Sequence, residues 1–139
     1  KKASEKKKTN VIALELPKGK IITGKQTDLL SPASSVIINA IKELSKIPDE
    51  INLLSPTILE PILKLRKNNN TLSLQEVLIA LAVCSVTNPS IASALEKLEV
   101  LKDCEAQATY IVTNGDLKAL KSLKINLTCE PNFYSKEIM

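Results

Sequence analysis

The stretch that decides the fold is residues 73–84, which read SLQEVLIALAVC. The pattern S-x-x-E at Ser73 and Glu76 is a capping box, in which the two side chains satisfy free amide groups at the start of a helix. Residues 77–84 are apolar on every side of such a helix. A buried strand is the competing interpretation, but the capping box and the leucine and alanine content favour a helix. We therefore predict a helix that is buried on most sides at the centre of the domain.

Three more helix starts flank this central stretch. A capping residue precedes a proline at residues 31–32, 55–56 and 88–89, and proline is favoured at the first helical position. Apolar residues follow each start at the spacing of one helix face. A short amphipathic helix is also predicted after residues 114–115, Asn-Gly. The sequence therefore predicts five helices.

The strands are predicted from short runs of apolar or alternating residues. Residues 11–16 and 20–23 are joined by Pro-Lys-Gly and predict a β-hairpin. Residues 51–54, 106–112 and 125–128 predict single strands, so the order of elements is ββαβαααβαβ. Because helices separate the single strands, we expect a mainly parallel sheet with an antiparallel hairpin at one side, covered on both faces.

Composition excludes several kinds of chemistry. The chain has 139 residues, 44% of them hydrophobic, which indicates one folded domain over residues 10–139. It contains no histidine, so a histidine-based triad and a histidine zinc site are excluded. Its three cysteines, Cys84, Cys104 and Cys129, form no C-x-x-C pair, which is typical of a reducing cytosol. We expect no catalytic residue, no metal and no cofactor in this chain.

The basic charge is concentrated at one end. The first eight residues hold five lysines and one glutamate, which equals the net charge of +4 of the whole chain. Residues 1–9 are therefore predicted to be a basic disordered or linker tail, and the folded part is neutral. A neutral domain with three aromatic residues is a poor nucleic-acid binder. No apolar run approaches the roughly 20 residues that span a bilayer, so we expect a cytoplasmic protein with no membrane partner.

One motif resembles a phosphate-binding loop. Residues 19–25, GKIITGK, match G-x-x-x-x-G-K, but Gln26 stands where serine or threonine is required. A phosphate-binding loop must also lead directly into a helix, and here the predicted helix begins only after residue 31. We therefore reject a nucleotide loop. Lys25 and Asp28 still follow a predicted strand, where α/β domains commonly place ligand contacts, and the lysine could bind an anion there. A solvated loop is the competing interpretation of this stretch.

Seven segments resemble one protein family in order along the chain. It is the C-terminal domain of the bacterial domain-of-unknown-function family eighteen forty-six, also called uncharacterised protein family three seventy-one. The resemblance runs from about residue 10 to residue 131. It implies that the chain is the C-terminal part of a protein several times longer, with an upstream α/β domain and a helical middle region. The segments are IALELP at 12–17, IITGK at 21–25, DLL at 28–30, LSP at 54–56, EVLIAL at 76–81, TNP at 87–89 and LTCEP at 127–131.

The resemblance also implies a fold. The family's C-terminal domain is similar to the three-layer αβα sandwich of cytidine deaminases, with a mixed sheet. Zinc deaminases need H-x-E and P-C-x-x-C motifs, and this chain has neither. The family pattern has histidine at the positions of Ser73 and Gln107 and commonly aspartate at that of Gln75. All three are departures, so a site that these positions form in relatives would be altered or lost in this chain.

Two functional hypotheses follow. The first is a structural and ligand-contacting C-terminal domain of a cytosolic bacterial protein, not catalytic alone, whose apolar surface is completed by upstream domains or by a second copy. The second is an enzyme site for a nucleotide or small metabolite, formed together with the upstream domains. The polar residues that we expect to contact the ligand are Lys25, Asp28, Asn88 and Glu130.

Overall fold

The computed structural model describes residues 10–65 and 71–129. The predicted basic tail at residues 1–9, the polar loop at 67–70 and Glu130 lie outside the described residues.

The predicted hairpin is confirmed. Strand β1 (Val11–Glu15) pairs antiparallel with β2 (Ile21–Lys25). Two short backbone hydrogen bonds close the turn, from Leu16 to the Lys20 carbonyl and from Gly19 to the Leu16 carbonyl, both 2.8 Å. Gly19 has a φ of 92°, a conformation that glycine adopts without the strain a side chain would add.

All five predicted helices are present. The predicted capping box is also formed, because Ser73 Oγ accepts from the Glu76 amide at 3.3 Å and Glu76 Oε1 accepts from the Ser73 amide at 2.9 Å. A short 3-10 helix, Lys97–Leu101, extends the fourth helix. None of the described helices combines the length and apolarity needed to cross a membrane. The helices are α1 (Pro32–Ser45), α2 (Pro56–Lys64), α3 (Leu74–Ser85), α4 (Pro89–Glu96) and α5 (Asn114–Ser122).

The sheet is mixed, with the strand order β2-β1-β3-β4, where β3 is Glu105–Ala108 and β4 is Asn126–Cys129. Strand β1 is antiparallel to both neighbours, and β3 pairs parallel with β4. The prediction of a mainly parallel sheet is therefore wrong. The described sheet contains a single parallel crossover, through α5, because the strand predicted at 51–54 does not form.

The strand predicted at 51–54 does not form, because its two leucines are buried in the core from a segment that is not a strand. Leu53 and Leu54 are both buried, at 7% and 5% exposure, although consecutive residues of a strand point to opposite faces. The segment pairs with none of the described strands.

The strand predicted at 106–112 is shorter than expected, since β3 ends at Ala108. At the next residue, the Thr109 amide still donates to the Val11 carbonyl at 3.0 Å, but the Thr109 side chain takes over the other half of the pairing with β1. Its Oγ1 accepts from the Val11 amide at 3.1 Å, so a side chain satisfies the group that a further strand residue would have bound.

The core lies between the sheet and the helices. One face of the sheet buries Ile12, Leu14 and Ile22 under α1 and its neighbours. The outer face carries Ile21, which is 54% exposed, and polar side chains such as Gln107. No described helix covers this outer face. The described residues form a sheet with helices on one face, and this arrangement is compatible with a three-layer α/β fold.

Helix α3 differs from its prediction in burial. Val77 and Leu81 are fully buried against α4 and α5, but Ile79 is 58% exposed and Val83 is 67% exposed. The expectation that this helix is buried on most sides is therefore wrong. It lies at the surface, and one side of it packs on the domain while the other side presents apolar residues to solvent.

Candidate functional site

A cleft of about 790 Å³ opens at the edge of the sheet where β2 and β3 end and β1 begins. Helices α1, α3 and α5 all begin at this edge, and their capping residues Ser31, Ser73 and Thr113 line the cleft. Binding sites of α/β domains are typically found at such an edge, at the carboxyl ends of strands. We refer to it as the polar cleft.

The lining of the polar cleft is rich in hydrogen-bonding groups. It combines amides, hydroxyls and two carboxylates, and none of its described residues is basic. Its apolar members are Pro32 and Ile111. The polar members are Asn10, Gln26, Ser31, Thr71, Ser73, Gln75, Glu76, Tyr110, Thr113 and Asp116.

Asp116 joins the starts of two helices. It is the third residue of α5 and is only 3% exposed. Its Oδ1 accepts a 2.8 Å hydrogen bond from the amide of Leu74, the first residue of α3. Its own amide donates to Thr113 Oγ1 at 3.4 Å, which caps α5. The carboxylate therefore satisfies a buried amide across the fold and lies beside the cleft.

Tyr110 contributes a hydroxyl without a partner. The oxygen is buried, and no described residue accepts or donates a hydrogen bond to it. Burial raises the pKa of Tyr110 well above its ordinary value of 10, and the negative charges of Asp116 and of an ionised Cys129 raise it further. The hydroxyl therefore stays protonated at neutral pH and can donate a hydrogen bond to a bound molecule.

The charge of the cleft decides what it can bind. Three helix starts bring partial positive charge to one place, which alone would favour an anion. However, Glu76 occupies the first turn of α3 and Asp116 the first turn of α5. These carboxylates already offset the partial positive charge of the helix starts. The cleft therefore suits neutral or cationic polar groups better than phosphate.

The structure separates the residues that the sequence suggested as a site. Lys25 lines a second, smaller cavity, and Asp28 lies exposed in the loop after β2. Asn88 caps α4, where its Oδ1 accepts from the Ser90 amide at 3.0 Å. Asn88 also lines a cavity with Lys46, which follows the end of α1, so it lies at the edge opposite the polar cleft. Lys25 and Asn88 therefore line different cavities, and Asp28 lines neither of them.

The three departures from the family pattern fall into two places. Ser73 and Gln75 both line the polar cleft, at the start of α3. Gln107 lies in β3 on the exposed outer face of the sheet. Two of these positions are thus neighbours in the cleft, and the third is separate from them.

Sequence reasoning missed Asp116 and Tyr110. The available signal for Asp116 was an acidic residue in the first turn of a predicted helix, which is a common stabilising position. Its contact with Leu74 joins residues 42 positions apart and has no local signature. Tyr110 looked like one more buried residue in an alternating run.

The cysteines do not form a reactive or metal-binding cluster in the described part of the chain. No three cysteine, aspartate or glutamate side chains there are grouped to hold a metal ion. Burial, and then the charge of Asp103, raises the pKa of the Cys104 thiol, which keeps it protonated and weakly nucleophilic. The expectation of a metal-free chain stays a prediction.

Comparison with known proteins identifies the family. A family model described as "Domain of unknown function DUF1846, C-terminal" matches residues 1–139. The chain belongs to this family. Its assignment as a DUF1846 C-terminal domain confirms the family that the seven sequence segments indicated.

Relatives of this DUF1846 domain carry the name UPF0371 protein. That of Clostridioides difficile (strain 630) is 45% identical over 133 residues, and that of Clostridium botulinum (strain Eklund 17B / Type B) is 47% identical over the same length. That of Clostridium tetani (strain Massachusetts / E88) is 41% identical. Each match covers 92% of this chain and 26% of the relative. The chain therefore spans about a quarter of the length of these relatives.

Proposed function

We propose that this DUF1846 domain forms one wall of a binding site for a small polar metabolite, at the polar cleft, and is not catalytic alone. The observation that carries the proposal is a pair of buried groups in the lining of the cleft. Tyr110 offers a buried donor without a partner, and Asp116 is a buried carboxylate beside it. The ligand group that this pair fits is neutral or cationic, such as a hydroxyl or an amine.

The unpartnered hydroxyl supports a ligand more than a structural role. Buried polar groups in native proteins are nearly always hydrogen-bonded, because an unsatisfied one costs about 1–3 kcal/mol. Asp116 has one hydrogen bond to its carboxylate among the described residues, from the Leu74 amide to Oδ1. A ligand hydroxyl could accept from Tyr110 and donate to Asp116 Oδ2, whereas a ligand ammonium group could donate to the Tyr110 oxygen and to Asp116 Oδ2. Such a ligand would remove the cost.

An apolar stripe on α3 supports a shared site with another part of a longer protein. Gln75 lines the cleft, and Ile79, Val83 and Val86 follow it along the exposed side of the helix, with 58%, 67% and 82% exposure. The spacing keeps these residues on one side. A segment docked on this α3 stripe would also reach the cleft at Gln75.

Upstream domains are the partner we propose for the α3 stripe, because the relatives are about four times as long as this chain. They would supply the remaining groups of the site. In the alternative function, those groups include the catalytic residues of an enzyme that acts on a nucleotide or small metabolite. We also keep the cytidine-deaminase-like topology as a proposal, in which upstream residues cover the outer face of the sheet.

Replacing Tyr110 with phenylalanine tests the cleft. The free energy of unfolding of this variant should equal that of the wild type or exceed it by up to about 1 kcal/mol, because the lost hydroxyl has no partner. The pKa of Tyr110 is higher in the folded chain than in the unfolded chain. Above about pH 10 the tyrosine therefore ionises in the unfolded chain first, and the wild type loses stability. Tyr110→Phe should lack that part of the loss. Urea unfolding followed by circular dichroism at pH 8 and pH 11 measures both effects.

The same variant should bind ligand more weakly. Amide shifts in nitrogen-15 NMR spectra would be followed on adding adenosine, cytidine, ribose or putrescine, which present neutral or cationic polar groups. We expect at least one of them to shift residues of the polar cleft saturably, with an affinity about tenfold lower in Tyr110→Phe. Absence of saturable binding by all four, or equal binding by both proteins, would contradict the proposal.

Charged residues on the α3 stripe should prevent docking. The chain would be mixed with the separately expressed upstream region of the Clostridioides difficile relative, and binding measured by isothermal titration calorimetry. The double variant Ile79→Glu, Val83→Glu should fold normally, since both side chains are largely exposed, and should bind at least about tenfold more weakly. Leu65→Glu, on α2's exposed end at 83% exposure, is the control and should bind as the wild type does.

Sedimentation of the chain by itself distinguishes a second copy from an upstream partner. A dimer that the Ile79→Glu, Val83→Glu variant disrupts would assign the stripe to a second copy and contradict our choice. A monomer that binds the upstream region through the stripe would support it.

A further inference from the structure

A second cavity lies between α1, the end of β2 and the loop that contains Leu53. Its volume is about 390 Å³, at the lower end of the range of roughly 300–1,000 Å³ for small-molecule pockets. Lys25 and Lys42 line it, with hydroxyl and amide groups around them. We call it the lysine cavity.

Lys42 is the unusual residue of this cavity. It lies on α1 with only 5% of its surface exposed, and lysine is rarely buried unless its charge is paired. Its Nζ donates a 2.9 Å hydrogen bond to the backbone carbonyl of Asp49. An ammonium group has three N–H donors, and this carbonyl is the one acceptor that the described residues supply.

No carboxylate among the described residues lies within ion-pair distance of Lys42. Its neighbour on the helix, Glu43, pairs instead with Lys20 at 2.7 Å, at an exposed site. Asp49 lines the cavity with an exposed side chain, so Lys25 and Lys42 outnumber the acidic residues of the described lining. The cavity therefore keeps an excess positive charge.

Ser35 adds a second unsatisfied group. It lies two helical turns before Lys42 on the same side of α1 and is 7% exposed. Its Oγ is buried, and no described residue forms a hydrogen bond with it. A buried lysine and a buried hydroxyl thus line one cavity, and both have free hydrogen-bonding capacity.

We propose that the lysine cavity binds the phosphate group of a small metabolite, with Lys42 and Lys25 as the cations and Ser35 Oγ as a donor. Phosphate offers several acceptor oxygens to N–H and O–H donors, and charge-assisted hydrogen bonds are about twice as strong as neutral ones. The cavity is large enough for more than one ion, so a phosphate monoester fits it better than inorganic phosphate.

Nitrogen-15 NMR titration at constant ionic strength tests the proposal. The probes are inorganic phosphate, ribose 5-phosphate and ribose. We expect saturable shifts at the amides of Ser35, Lys42 and Asn52 with both phosphate-containing probes and none with ribose. Tighter binding of ribose 5-phosphate would identify a phosphorylated metabolite as the ligand, and equal binding would identify free phosphate. Either result supports an anion site here.

Three cavity variants and one control separate a specific site from general charge attraction. Lys42→Gln and Lys25→Gln should each weaken phosphate binding about tenfold, whereas Lys18→Gln, at an exposed turn position, should leave it unchanged. Ser35→Ala is a second test of the cavity that holds even if Lys42→Gln disturbs the fold, because alanine is favourable in a helix and the lost hydroxyl has no partner. It should bind severalfold more weakly and fold like the wild type.

The proposal is overturned by either of two results. One is the absence of saturable binding by inorganic phosphate and by ribose 5-phosphate. The other is equal weakening by Lys18→Gln and Lys25→Gln, with Ser35→Ala binding as the wild type does, which would show that the anion follows net charge and not this cavity.

Discussion

Replacing Gly24 with alanine is expected to lower the free energy of unfolding by about 3 kcal/mol or more. Gly24 lies in β2 and faces α1 at very short range. A Cβ atom there would lie 2.5 Å from the Cα of Val36 and closer still to its backbone nitrogen. Because backbone atoms of a packed helix cannot move aside like the end of a side chain, the strand and α1 would have to separate.

Gly115→Ala is the matched control for this change. A Cβ at Gly115 would meet no atom within 4 Å, and the residue lies in the first turn of α5. We expect this variant to be as stable as the wild type or up to about 1 kcal/mol more stable, since alanine is the better helix former. Urea unfolding followed by circular dichroism compares the two. A Gly24→Ala protein with wild-type stability would refute the role of close packing here.

Replacing Asp116 with alanine is expected to cost about 2–3 kcal/mol of unfolding free energy. The change removes a charge-assisted hydrogen bond and leaves the buried amide of Leu74 without its acceptor. It also uncouples the starts of α3 and α5, which otherwise share this contact. Thermal and urea unfolding at pH 7 would measure the loss.

Asp116→Asn separates geometry from charge. An asparagine oxygen can still accept from the Leu74 amide, so this variant should lose only about half as much stability as Asp116→Ala. Both variants should lower the pKa of Tyr110, because the Asp116 charge helps to raise it, although burial would still hold it above 10. Absorbance titration of the tyrosines checks this. Equal stability of Asp116→Ala and wild type would contradict the structural part of the argument.

Gly24 also explains why the motif at residues 19–25 resembled a phosphate-binding loop. Its two glycines serve unrelated purposes: Gly19 adopts a positive φ in the hairpin turn, and Gly24 lets α1 approach β2 closely. Lys25 would bind an anion both in a phosphate-binding loop and in the proposed lysine cavity. What the structure adds is the buried partner Lys42, from another element.

The helices and the hairpin could be predicted from the sequence because their signals are local. The capping box at Ser73, the proline that opens α1 and the Asn88 cap each act within one helical turn. The hairpin depends on a turn three residues long. The family could be recognised for a related reason, since its motifs are short segments read in order.

The tertiary structure alone decided the sheet pairing, the exposed side of α3 and both candidate sites. Leu53 and Leu54 read as a strand because apolar composition reports burial and not the element that buries it. The polar cleft depends on three helix starts that meet at one sheet edge, and its Asp116 to Leu74 contact spans 42 positions. Such contacts leave no local pattern, because the chain determines which residues are apolar or capped, whereas packing determines which of them meet.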